Sequence, residues 1–573
     1  MDFTNLQILL HQRNVYLRVK NNDFLICGDL QVVQKGHFIF LCWSISDQEK
    51  PIFRTTISRD SGKITTELFD IKTCIDQKTT PFCTKKNTLI DYSELYITKH
   101  GVCIIPQSET RKLRYHRGQN PSKPPEELEI GELLQKTSYF DFSPPDIKFC
   151  YLSCSQEADT LFKVLNGSFW LKKCPNDQDL YIITNSDDYT KLSAKNKPDY
   201  VSLIGQALFA STNNIFELVR SISEPAIASS AIFDKYIYQD PYDEELIAEV
   251  SGQYVPMIRE SQVWETRFDS DGRLISLQKL IDDVFSSGVS NAHRLVAYKY
   301  ILGYYRESMN SIERDEHDAA KKLEYQAIKQ KMEASVNDPK FKNLNMHFDM
   351  ISKDVPRCDR FYSFYKGDDN PNLECLEEIL RIYSFYNYKM GYDQSMTDFL
   401  SPLLYLVKNK VDTFWLFVHM MEKRNKLLNQ CENHIYDVLC SLTMLTSFFF
   451  PQFYLYVYKI YKISANDLFY LGSFFGRLKL DFKRDFTLDE VTRVWEVIWT
   501  QKLVKNYNLF ICLCYISKLY NSFDYKQHEF IELTKKFPKF TLGNCENIIQ
   551  ETNKIIESIK KEKKLPQFIK NYL

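Results

Sequence analysis

The sequence predicts a multidomain chain: a β-rich, α+β N-terminal domain followed by an all-helical domain that takes up most of the remainder. Three observations carry this. Apolar and polar residues alternate with period two through the first 190 positions, a spacing of three to four takes over from Asp199, and a weakly periodic acidic stretch separates the two regimes. At 573 residues and 44% hydrophobic content the chain has room for several domains and enough apolar mass to fill their cores. The reading divides it into 1–222 (β-rich, ending in a helix), 223–260 (linker), 261–560 (all-α) and 561–573 (a basic tail).

Taken in order, Val15, Leu17 and Val19 alternate with Tyr16, Arg18 and Lys20, and Phe38 to Trp43 forms a short apolar run. Both read as strands. Two hairpins follow, one turning at Arg59-Asp60-Ser61-Gly62 between FRTTIS and KITTELF, the other at His100-Gly101 between LYITK and VCIIP. IKFCYLS (147–153) and LYIIT (180–184) add further strands. Residues 107–132 are basic first (Arg111, Lys112, Arg114, His116, Arg117) and then rich in Pro and Glu, which predicts a mobile loop inserted between strands. Val201, Ile204, Leu208, Ile215, Leu218 and Ile222 then mark a helix that Glu224-Pro225 ends.

In the second half, residues 313–334 are dense in charge with a thin stripe of Tyr325, Ile328 and Met332, so they predict a largely solvated helix. Pro402 inside DFLSPLLYLV is expected to kink or start a helix. Val438 to Tyr458 carries no charged residue and is long enough to cross a bilayer. Ser441, Thr443, Thr446, Ser447 and Gln452 within it, together with Pro451, favour two core helices that meet near Phe450-Pro451. Lys560, Lys561, Lys563 and Lys564 suit the end of a last helix.

Charge and cysteine usage narrow the function classes. Lys+Arg 73 against Asp+Glu 74 leaves a formal charge of -1, so no global basic field points to nucleic acid. Fifteen cysteines without a C-x-x-C pair, and a Met1-Asp2-Phe3-Thr4 start without a basic or apolar leader, predict a reduced, cytosolic chain without structural zinc. The histidines show no metal-ligand spacing, and no phosphate-cradling loop is present. Metal and cofactor sites are expected to be none.

The functional stretch is 351–396. Asn370-Pro371 supplies a cap and a first-turn proline, Leu376, Ile379, Leu380 and Tyr383 line one helical face, and Gly391 follows as a stop. Arg357 and Gln394 flank that helix, in turns that could bring both side chains to one surface.

Ile351-x-x-Asp354-x-x-Arg357 and Tyr392-x-Gln394 resemble the two finger motifs of the TBC-domain GTPase-activating proteins, which act on Rab GTPases. GVSNAHRLVAYKYILGYY (288–305), TDFLSPLLYL (397–406), VDTFWLFV (411–418), DFKRDF (481–486) and VWEVIWT (494–500) resemble the same family's other blocks, in order. More loosely, VYLRV, GDLQVVQKGHFIFLCWS, LYITKHGVCIIP, NNIFELVRS and WETRFDSDGRL resemble the subfamily with an N-terminal Rab-binding-type region, which is associated with late-endosomal Rab and with mitochondrial and autophagic membranes. The resemblance implies a PH-like or other small sheet or barrel domain ahead of a two-lobed helical TBC domain. It implies a Rab in its GTP form as partner, and a cytoplasmic protein peripheral on endosomal or other membranes, with a membrane or adaptor partner for the N-terminal half.

What the resemblance implies at the site is specific. Hydrolysis of GTP needs negative charge stabilised on the transferring phosphoryl group and a water held in line. Arg357 would supply the first as an arginine finger, and the Gln394 amide the second, both in trans. Asp354 and Tyr392 would support them, and Arg294 of the first block would join the same polar network. GTP and Mg²⁺ would arrive with the partner. Several positions depart from the family pattern: Ser395 where Gly is usual, Tyr298 for Trp, Leu478 for Trp and Cys358 for Thr. Ser395, whose Cβ could alter how closely the turn approaches its partner, is the feature that favours a second reading, a non-catalytic adaptor that binds Rab as a scaffold. Met396, Phe399, Leu400, Trp415, Phe417, Trp495 and Trp499 read as core.

Overall fold

The computed structural model describes residues 264–336, 338–428, 433–454, 474–522 and 545–573, and before them the strands and helix named here with their nearest flanks. The predicted helix at 199–222, the linker at 223–260, the LYITK strand and the turns at 59–62 and 100–101 lie outside the described residues.

The chain forms two compact units, one of Met1–Asp240, Leu439–Leu471 and Ser558–Leu573, the other of Pro241–Val438 and Gly472–Glu557. The first is built on an antiparallel sheet. In chain order its strands are β1 (Leu6–Val19), β2 (Phe24–Lys35), β3 (Phe38–Ile45), β4 (Ile52–Ile57), β5 (Ile64–Phe69), β6 (Val102–Ile104), β7 (Arg111–His116), β8 (Tyr139–Ser143), β9 (Ile147–Tyr151), β10 (Leu171–Lys173) and β11 (Leu180–Ile183), with helix α1 (Ser155–Gly167) between β9 and β10. Their order across the sheet is β10-β11-β7-β8-β9-β1-β2-β3-β6, and the β4–β5 hairpin branches from β2.

Val15, Leu17, Leu30, Val32, Ile39, Leu41 and Trp43 form one core with Ala158, Leu161 and Leu165 of α1. The opposite face of β3 is covered as well. Phe40 packs on Phe448, Phe448 packs on Phe568, and the buried Lys35 ammonium donates to the Phe448 carbonyl at 3.1 Å. Burial on both sides explains why β3 reads as a continuous apolar run and not an alternating one.

The basic stretch at 111–116 is not the predicted loop but β7, paired with β8 and β11. Leu113 and Tyr115 enter the core while Arg114 bonds to Asp177 at 2.8 Å. Its period-two pattern was hidden by its charge. The PSKPPEELE part of that expected loop lies outside the described residues.

The second unit is helical. Its helices begin with α2 (Leu277–Ser287), α3 (Asn291–Ile301), α4 (Ser311–Ser335), α5 (Leu344–Asp354), α6 (Pro371–Tyr386), α7 (Ser395–Val407) and α8 (Lys410–Leu428). It continues with α10 (Phe474–Lys479), α11 (Leu488–Thr500), α12 (Tyr507–Ser522) and most of α13 (Cys545–Lys561), whereas α14 (Gln567–Lys570) and most of α9 (Asn433–Phe449) belong to the first unit. As predicted, α4 is solvated, burying only Tyr325 and Met332, and its start is fixed by a reciprocal Asn310–Glu313 cap. The seven apolar residues read as core, from Met396 to Trp499, are all buried. Pro402 does not start a helix, since α7 runs through it to Val407. At 438–454 a helix ends at Phe449 and another starts at Pro451, as read from the sequence, and no helix among the described residues is long and apolar enough to cross a membrane.

Candidate functional site

Helix α5 sets the first half of the site. Leu344, Phe348 and Ile351 bury one face, and Val355-Pro356-Arg357 tightens into a single 3-10 turn because proline cannot continue the ladder. Asp354 is therefore the last helical residue, only 6% exposed, while the Arg357 side chain beyond the turn is 55% exposed. One Asp354 oxygen accepts from Arg357 Nη2. The other accepts from the Tyr392 hydroxyl at 2.8 Å. Burial, with Asp354 alongside, pushes the Tyr392 phenol well up, so it remains a donor across the physiological range.

The second half follows α6, which starts and buries its face as the sequence predicts: the Asn370 side chain accepts from Asn372 N–H, and Leu376, Ile379, Leu380 and Tyr383 are buried. Gly391 is not its stop. The helix ends at Tyr386, and Gly391 lies beyond the terminal turn at φ +67°, its N–H bonded to the Asn387 carbonyl at 3.0 Å. Gln394 then caps α7, and its carbonyl accepts from Thr397 Oγ1 at 2.8 Å. Ser395 occupies the first position of α7, ordinary right-handed helix where a Cβ brings no backbone strain, and its N–H and hydroxyl both reach Asp393 Oδ1. Burial opposes charge on Asp393, but Lys479 and Ser395 hold its carboxyl below the usual range.

Asp354 thus brings the two motifs together. Arg294, on α3, bonds to α11. It is 1% exposed and bonds to Glu496 at 3.1 Å and Asn291 at 3.0 Å, and Tyr298 donates to the same Glu496 oxygen at 2.7 Å. A tyrosine in place of Trp thus supplies a hydroxyl that helps neutralise a buried carboxylate. The Arg294 bond to Glu496 ties α3 to α11.

Sequence reasoning missed the buried polar group beneath the first turn. Asp359, in the left-handed region at φ +49°, accepts from Ser401 Oγ at 2.5 Å and from Lys483. Asp398 accepts from Arg484 Nη2 at 2.9 Å, and Arg484 and Lys483 outweigh its burial to hold the carboxyl below the usual range. The DFKRDF stretch therefore ties the segment after the Val355–Arg357 turn to α7. Cys358, also in this layer, is buried, and burial pushes its thiol well up, so it is inert packing.

Residues 291–523 match the model of the Rab-GTPase-TBC domain family. The chain contains a TBC domain. Over 547 residues it is 25% identical to human TBC1 domain family member 17, covering 87% of this chain and 80% of that protein. The GTPase-activating protein GYP7 of Candida glabrata is 30% identical over 48% of this chain and 40% of its own length. Among solved structures, the Ypt/Rab-GAP domain of Gyp1p aligns with 55% of this chain and 99% of its own, at 16% identity and a TM-score of 0.42. Arg357 and Gln394 both fall inside the matched TBC domain, as do Arg294, Asp359, Asp398 and Lys483.

Proposed function

We propose that this chain is a GTPase-activating protein that stimulates GTP hydrolysis by a Rab small GTPase in its GTP form, with Arg357 as the arginine finger and Gln394 as the glutamine that orients the attacking water. The observation that carries the reading is the double use of Asp354. One buried carboxylate grips the Arg357 guanidinium and the Tyr392 hydroxyl with separate oxygens, so the two motifs are held as one unit while Arg357 stays more than half exposed. An arginine so placed can deliver charge to a phosphoryl group carried by a second protein. Its planar guanidinium matches two phosphate oxygens at once, which Lys cannot do. A finger of this kind contributes about 10³ to 10⁵ in rate, or roughly 4 to 7 kcal/mol of barrier.

In this reading nucleotide and Mg²⁺ come with the Rab, the chain has no nucleotide site of its own, and the N-terminal unit recruits it to an endosomal or other membrane through a lipid or adaptor. The test is phosphate release from a panel of GTP-loaded Rabs with wild type, Arg357→Ala and Gln394→Ala. The expected result is acceleration of one or a few Rabs, with at least a hundredfold loss in Arg357→Ala and a comparable loss in Gln394→Ala, both still folded. Binding of a GTP-loaded Rab with no acceleration would establish the adaptor instead.

A further inference from the structure

We propose that His347, on α5, is a positioning residue for the glutamine turn, a role that rests on the reading of Gln394 given above. Two contacts point to it. The Tyr392 backbone N–H donates to His347 Nδ1 at 3.4 Å. The imidazole also fills the space above Gly391, where an added Cβ would lie 2.5 Å from the ring. Glycine at 391 is thus needed twice, for its φ of +67° and for the ring that closes over it.

Tyr392 is consequently held at both ends by one helix. Its amide meets His347, and its hydroxyl meets Asp354 two turns further along α5. Gln394 follows two residues later, so the direction of its backbone is set by where Tyr392 is pinned. Leu344, Phe348 and Ile351 anchor α5 in the core, which makes His347 a fixed post. The contact requires an unprotonated Nδ1, and burial holds the imidazole below its ordinary pKa, which favours the accepting form.

The test uses the full chain with His347→Ala, His347→Asn and His347→Gln. Asn can place an acceptor oxygen close to the Nδ1 position, whereas Gln carries it a bond further out. Two quantities are read. Hydrogen exchange of peptides covering residues 391–394 is expected to quicken by about tenfold in the Ala and Gln variants and to stay near wild type in the Asn variant. With the responding Rab, kcat is expected to fall by about ten- to a hundredfold in Ala and Gln, with KM within about twofold, and to recover in Asn. Unchanged exchange in the Ala variant, or equal damage from Asn and Gln, would overturn the proposal. Should the Ala variant fail to fold, the Asn and Gln pair decides the matter. If wild type accelerates no Rab, the catalytic reading fails on its own and the exchange measurement still tests His347.

Discussion

Asp354 shows what can be read at the scale of a residue. Its spacing from Arg357 made it legible as a supporting acid, because residues three apart face each other at a helix end. Its second partner, Tyr392, was not readable as such, since the contact depends on how α6 returns the chain. Asp354→Ala should remove the link between the motifs and leave the buried Tyr392 hydroxyl unsatisfied, and Tyr392→Phe should leave one oxygen of the buried Asp354 carboxylate unsatisfied, each costing about 1–3 kcal/mol. Urea unfolding of the two variants is the measurement; a cost near zero for either would contradict the link. His347 gave no sequence signal at all, because a histidine on an amphipathic helix is unremarkable until Gly391 is seen beneath it. Its pH dependence has a definite sign. The folded-state pKa lies below the ordinary 6.5, so the Tyr392 contact is complete above that value and is lost as pH falls through the lower folded pKa. Wild-type GTPase stimulation should accordingly decline relative to His347→Asn as pH drops below about 6.5, and parallel profiles would argue against it.

At the scale of elements, the sequence was most legible where periodicity and caps agreed. Helix α6 has its Asn-Pro start and apolar face in place, and α4 has its solvated surface. It was least legible where a long-range partner decided the outcome. Strand β7 was hidden by its charges, and nothing in the first block reveals that Arg294 meets Glu496, 202 residues away in the chain. Asp359 and Lys483 are the same case: neither DFKRDF nor the finger motif reveals that a buried ion pair joins them. Removing one partner of a buried pair costs more than the pair contributes, because the other charge is left in a poor solvent. Asp359→Ala leaves Lys483 with Asp398 at 3.6 Å, so it is expected to destabilise the helical unit by less than the about 3–5 kcal/mol of a fully orphaned buried charge, yet by more than breaking the exposed Arg273–Asp271 pair. Thermal denaturation of the two variants is the measurement, and similar shifts would show that Asp398 alone satisfies Lys483.

At the scale of the whole molecule, neither unit is a continuous stretch of chain. The TBC match ends at residue 523, yet the helical unit continues to Glu557. Helix α13 supplies Glu546 to Arg493 at 2.7 Å, Asn553 to Tyr507 at 2.7 Å, and the buried Ile548, Ile549 and Ile556. Arg493 in turn donates to the Val284 and Phe285 carbonyls at the end of α2. Losing three buried isoleucines at about 1.5–3 kcal/mol each is comparable with the 5–15 kcal/mol that holds a typical domain together. The β-rich unit likewise depends on the last residues of the chain, through Leu565, Phe568, Ile569 and Tyr572, all buried. Two truncations separate these dependences. A chain ending at 557 should keep the melting transition of the helical unit and lower that of the β-rich unit. A chain ending at 523 should lose the cooperative transition of both. Differential scanning calorimetry reads the transitions separately, as a chain of two units requires. If the chain ending at 523 melted like the full-length protein, the matched domain would be self-sufficient and α13 only an ornament on it.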